Sequence, residues 1–195
     1  SSSWLVLEAI QVGLVDPVED VREWVAGTLM NLAQEADAWA PILTHRGLLD
    51  ACVLALRNDA MGGHSALVRA RVGRVLRNVA MDTDESPRLC ATEGLLAALV
   101  AAVQDENQVE VEVDVDDDDE DEDKDPRRLA EEWDGDSEDD APALSPADHL
   151  QRHALGALRH LTMQPTNHPV LAAQPGLLPA LVRLLRRRRG GGVLC

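Results

Sequence analysis

"VAGTLMNLA" (Val25 to Ala33) aligns without gaps with "VGRVLRNVA" (Val72 to Ala80) and with "ALGALRHLT" (Ala154 to Thr162). Each stretch is followed at a fixed distance by Gly-Leu-Leu: Gly47, Gly94 and Gly176 stand sixteen residues after Asn31, Asn78 and His160. Five residues before each glycine lies an apolar residue, Ile42, Leu89 or Leu171, and Pro41, Pro87 and Pro169 lie six or seven before it. Similarity at constant spacing marks a repeat, in which each unit is too small to cover its own apolar face.

The repeating element is helical. Val25, Leu29 and Leu32 fall at i, i+4 and i+7, as do Val72, Leu76 and Val79, so each helix carries one apolar stripe. Phe and Tyr are absent and the aromatics are four Trp, which leaves Leu, Val and Ala to build the core. Leu and Ala are strong helix formers, and the low aromatic content argues against sheet. An all-α chain is expected.

The spacing also locates an insertion. Gly47 to Gly94 is 47 residues and Gly94 to Gly176 is 82, so the third unit carries 35 more than the second. The extra residues are acidic: from Asp105 to Asp140 there are 21 acidic and 3 basic residues, which leaves 14 acidic against 15 basic in the rest of the chain. The net charge of -17 therefore belongs to one segment. Like charge at this density cannot bury enough apolar surface to offset the entropy of ordering, and a disordered loop is expected over about 104–145. The alternating "VEVEV" at its start would be an isolated strand without a partner.

The pattern resembles the armadillo repeat. "GLLPALVRLL" (Gly176 to Leu185) matches that family's second helix, with Pro179 in the first turn where its missing N–H is harmless. "VREWVAGTLMNLA" (Val21 to Ala33) matches its third helix, and the glycine before the second helix favours armadillo over the related HEAT repeat. The resemblance implies a right-handed α-solenoid. Its units would be 1–46 without a first helix, 47–93, 94–175 with the acidic insertion, and a partial unit over 176–195 with an Arg/Gly-rich tail.

By the same resemblance the third helices line a concave groove that binds a partner protein or an extended peptide. A residue seven before the groove Asn lies on nearly the same face. The ladder is then Trp24 and Asn31, Arg71, Arg74 and Asn78, and His153 and His160. An Asn amide offers a donor and an acceptor to a peptide bond, which the resemblance assigns to Asn31 and Asn78; His160 replaces it in the third unit. Peptide-binding members place a Trp one turn before such an Asn, whereas this chain has Gly27, Arg74 and Gly156 there. An acidic or phosphorylated ligand therefore fits better than a Lys-rich one, since guanidinium groups pair carboxylate or phosphate in bidentate fashion. A solvated basic helix face is the competing reading of Arg69, Arg71, Arg74 and Arg77.

The remaining features define an edge and several exclusions. Arg186, Arg187, Arg188 and Arg189 form a basic run ten residues after Gly176, and the acidic segment starts ten after Gly94. Equivalent positions in stacked units are expected side by side, so an intramolecular contact between loop and Arg run is expected on one edge. Ser137 and Ser145 are candidate phosphorylation sites by their acidic and proline-directed contexts, and phosphate would add to the negative charge. His149 and His153, with His160 beyond, lack the further ligands of a metal site. No phosphate-binding loop, nucleophile elbow or zinc-protease helix is present. No catalysis, cofactor, metal or small-molecule substrate is expected, and nucleic acid is not the expected partner. Cys52, Cys90 and Cys195 form no C-x-x-C pair, which fits a reduced intracellular compartment, cytoplasmic or nuclear. No apolar run is long enough to span a membrane. The start without Met and the ending "RRRRGGGVLC" suggest a piece of a longer protein. The leading expectation is a noncatalytic interaction scaffold with an acidic electrostatic modulator. The alternative is a chaperone or chromatin-associated factor that uses the loop to hold basic proteins; the recognition part of a larger enzyme is a third.

Overall fold

The computed structural model describes residues 2–57, 64–82, 84–104 and 144–190. These residues are all helical, with ten α-helices, two short 3-10 helices and no strand among them. In chain order the helices are α1 (Ser2–Leu14), α2 (Glu19–Leu32), α3 (Trp39–Thr44), α4 (Leu48–Leu56) and α5 (Ala66–Val79). They continue with α6 (Ser86–Ala91), α7 (Leu95–Gln104), α8 (Pro146–Thr162), α9 (His168–Ala173) and α10 (Leu177–Gly190). The acidic insertion, Ser137 and the side chains of Arg187, Arg188 and Arg189 lie outside the described residues, as does Cys195.

Local chemistry sets the boundaries. Ser65 caps α5 by accepting the Val68 N–H at 3.2 Å. Ser145 forms a reciprocal capping box with Asp148 at the start of α8, followed by Pro146 in the first turn. Each short helix, α3, α6 and α9, turns into the next long one through the glycine of Gly-Leu-Leu. Gly47, Gly94 and Gly176 have φ of 83°, 75° and 81°, a left-handed backbone that costs other residues about 1–2 kcal/mol. The repeated glycine is thus a backbone requirement.

Helices of like position contact one another in chain order. α1 packs on α4, α4 on α7 and α7 on α10; α2 packs on α5, and α5 makes its largest contact with α8. The buried core is aliphatic, with Leu14, Leu29, Leu76, Leu99 and Leu161 among its fully enclosed side chains. Each such leucine contributes about 2 kcal/mol before ordering entropy is counted. The stripe expected on the third helices is fully buried on α5, at Val72, Leu76 and Val79. On α2, Leu29 and Ala26 are buried and Val25 and Leu32 half-buried.

One contact measures the insertion. Arg69 Nε donates to the Leu56 carbonyl at 3.1 Å across 13 residues, and Gln151 Nε2 donates to the Val103 carbonyl at 2.8 Å across 48. The same bond is made twice with 35 more residues between its partners, so the added chain lies between α7 and α8.

Side-by-side register is corrected by the geometry. Gln104, in the last turn of α7, donates to the Gly176 carbonyl at 3.4 Å, and Val100 packs against the same glycine. α10 therefore begins beside the end of α7, and Arg186 lies a further ten residues along, about 15 Å at the helical rise. No helix among the described residues is long and apolar enough to cross a membrane.

Candidate partner-binding face

The ladder expected from the sequence lies on α2, α5 and α8, with α5 packed between and against the other two. Trp24 is the most open large apolar side chain described, at 79% exposure. Asn31 is also exposed, while Arg71, Arg74 and His160 are half-buried.

Several of these side chains hold one helix to the next. Asn78 Nδ2 donates to the Ala33 carbonyl at the end of α2 at 3.2 Å, and Trp39 Nε1 donates to the same oxygen at 2.8 Å. One amide hydrogen of Asn78 is committed; its second hydrogen and its oxygen remain. Arg71 crosses from α5 to α2, where Nη1 donates to the Glu23 carbonyl at 2.6 Å. Its guanidinium lies over Gly27, in van der Waals reach of where a β-carbon would stand. Arg77 crosses the other way and lies over Gly156 so closely that a β-carbon there would force it aside. The glycines found in place of Trp shelves are thus the beds on which neighbouring arginines lie. Arg74, Arg77 and His160 each have further interactions.

His153 belongs to the core of the α5–α8 contact and not to its surface. It is buried against Gly73, and its Nδ1 has no hydrogen-bond partner. Burial, then the charges of Arg77 and Arg74, then His149 and Arg152, push its pKa down to about 3, so the ring is neutral at pH 7. His149 stacks on it with ring centroids 6.0 Å apart. No group of three or more His, Cys, Asp or Glu among the described residues could hold a metal. Cys52 and Cys90 are free and buried, and burial raises their thiols to about 12 and about 11.

Arg69 leaves the basic row, because it is buried and spent on the Leu56 carbonyl. Arg22, 47 residues before it, donates to the carbonyls of Asp16 and Pro17 at 2.7 and 3.0 Å. Arg22, Arg69 and Gln151 thus form one family of side chains that satisfy backbone carbonyls where each third helix begins. Trp39 and His168 form another, since His168 Nε2 meets the Thr162 carbonyl at 2.8 Å just as Trp39 meets Ala33. Both families follow the 47- and 82-residue offsets and were available to sequence comparison. Asn167 has no such precedent: it is buried, and its Nδ2 donates to Ser86 Oγ at 2.7 Å and to the Leu161 carbonyl at 3.0 Å.

Of the remaining sites, Ser145 is committed to its capping box, with its hydroxyl on Asp148. Arg186 is exposed on α10. Comparison of the chain with models of protein families, with curated proteins and with solved structures found no match in any of the three.

Proposed function

We propose that the chain is a noncatalytic interaction scaffold, an armadillo-type α-solenoid whose α2–α5–α8 face takes an extended acidic or phosphorylated peptide of a partner protein. The observation that carries this reading is the face itself. Trp24 stands open on α2, between the Glu23 carbonyl and Gly27 that the Arg71 guanidinium reaches from α5, and Arg74 and the uncommitted half of the Asn78 amide follow on α5. An exposed indole beside guanidinium groups offers stacking area and bidentate donors together, the composition of interaction hot spots. The nearby buried His153, neutral at pH 7, adds no charge of its own.

The test uses a fluorescein-labelled Glu-rich peptide with and without phosphoserine, read by anisotropy at low salt. It is applied to the intact chain and to a form lacking 106–140. Saturable binding that weakens about tenfold or more in Trp24→Ala and in Arg74→Glu, a change of about 1.4 kcal/mol, is expected. Tighter binding to the shortened form would mark the acidic segment as a competitor. Equal, weak binding to both variants and the parent overturns the reading.

A second reading rests on the charge count alone, 21 acidic against 3 basic residues between Asp105 and Asp140. There the segment itself binds basic proteins. A Lys-rich peptide retained by the intact chain and lost by the shortened form supports that reading over the first.

A further inference from the structure

The α2–α5–α8 face is uneven in charge, and the difference runs from one side of α5 to the other. α2 carries Glu19, Asp20 and Glu23, and Arg71, which crosses to it, has its Nη1 on the Glu23 carbonyl at 2.6 Å. α8 has one carboxylate, Asp148, and that group is closed into the capping box with Ser145. The helices packed against α8, namely α5, α6 and α7, contain no Asp or Glu.

Between α5 and α8 basic groups of both helices converge on one buried ring. A β-carbon on Gly73 of α5 would stand 3.4 Å from that of His153, and Arg74 follows Gly73 directly. One turn further along α5, Arg77 lies over Gly156, with Cδ, Cγ and Nε at 2.9, 3.1 and 3.2 Å from the place of a β-carbon there. Gly156 and His153 are three residues apart on α8 and so neighbours on one face. His149 stacks on His153 from the preceding turn, with ring centroids 6.0 Å apart. Burial keeps the His153 ring neutral, and after burial so do the charges of Arg77, Arg74, His149 and Arg152, in that order, which sets all four around the one ring. Depth orders the cluster: His153 is buried, Arg74, Arg77 and His149 are half-buried, and Arg152 is exposed. The result is a cleft with a neutral floor and basic walls.

We propose that this cleft between α5 and α8 is a subsite for a phosphate monoester, the phosphoserine or phosphothreonine of a bound peptide. The subsite rests on the peptide-binding reading of the face and gives the phosphorylated residue its place on it. A phosphate monoester brings about −1.5 to −2 charges at pH 7 and three acceptor oxygens. The guanidinium groups of Arg74 and Arg77 answer with N–H forks that pair phosphate in bidentate fashion, whereas a carboxylate offers one charge and two oxygens. The acids of α2 repel the same group, so the phosphate is steered to the α8 side of the face. A dianion held there also offsets the positive field at His153, so the buried ring senses the ligand without touching it.

The experiment compares two fluorescein-labelled peptides of one sequence, with phosphoserine or Glu at the same position, by anisotropy on the intact chain and its variants. Arg77→Met keeps the aliphatic part that lies over Gly156 and removes the guanidinium; Arg71→Met removes the guanidinium on the α2 side. Circular dichroism checks that both variants keep their helices. The parent is expected to bind the phosphopeptide at least about tenfold tighter than the Glu peptide, the worth of roughly one charge-assisted hydrogen bond. That preference is expected to vanish in Arg77→Met and to persist in Arg71→Met. Proton NMR gives a local readout: the His153 ring signals, assigned by their loss in His153→Leu, are expected to shift on addition of the phosphopeptide. Equal affinity for the two peptides, a preference lost in Arg71→Met but kept in Arg77→Met, or ring signals that do not move overturns the subsite and leaves the peptide-binding face standing. Binding of neither peptide overturns the subsite together with that face. Retention on vesicles that carry a phosphoinositide, lost in Arg77→Met and accompanied by no preference between the peptides, overturns it in favour of a lipid headgroup.

Discussion

At the scale of single residues, the repeat reading and the functional reading part company. Asn31 and Asn78 occupy the same place in the sequence pattern, yet Asn78 ties α5 to α2 while Asn31 is open. Spacing identifies the position but not what the neighbouring helix asks of it, because that depends on a carbonyl 45 residues away. His153 is the sharpest case. Its place in the ladder suggested a ligand-facing ring, but α8 turns it against Gly73, and burial beside Arg77 and Arg74 lowers its pKa to about 3. In the unfolded chain the ring takes up a proton near pH 6.5, whereas in the folded chain it does not. Stability from this group is therefore complete above pH 6.5 and declines as pH falls toward 3. The expected slope is about 1.4 kcal/mol per pH unit below 6.5. Denaturant unfolding of the parent and of His153→Leu, compared between pH 7.5 and pH 5, isolates it from the carboxylates common to both. The parent is expected to lose more stability than the variant as pH falls, and a constant difference would place the ring in contact with water.

At the scale of elements, most of the architecture was legible. Nine of the ten described helices, all but α1, fall where the three aligned stretches, the Gly-Leu-Leu triplets and the prolines place them, because those signals are backbone chemistry: left-handed glycine, proline in a first turn and apolar periodicity. Less legible was the start of α8, which begins two residues earlier relative to the repeat than α5 does. Ser145 and Asp148 explain the extra length by closing a capping box at the end of the inserted chain. The box satisfies N–H groups that would otherwise be orphaned, and Ser145→Ala is expected to cost about 1 kcal/mol in chemical unfolding. Phosphate on Ser145 would meet the Asp148 carboxylate at the place where its hydroxyl now donates. The stagger of α10 along α7 was not legible, because equal spacing says which residues correspond and nothing about how far one helix slides past another.

At the scale of the whole molecule, the insertion asks how a repeat tolerates 35 additional residues. The paired bonds of Arg69 to Leu56 and Gln151 to Val103 show that the helices on either side keep the relation found in the shorter unit. The packing is therefore indifferent to the length of the connection, and the remaining cost is closure of a longer chain between Gln104 and Pro146. That cost grows only with the logarithm of length. Removing 106–140 shortens a connection of 41 residues to 6 and restores the 47-residue period, which lowers the closure cost by about 1.5–2 kcal/mol. Relief of repulsion among 20 acidic residues in the deleted stretch acts in the same direction at low salt. The shortened form is thus expected to unfold at higher denaturant concentration than the parent, with the gain shrinking toward the closure value as salt is added. The opposite sign, a shortened form less stable than the parent at low salt and equal to it at high salt, would mean that the acidic segment binds its own basic surface. Measuring both forms across a salt series separates a passive insertion from an internal ligand without knowledge of any partner.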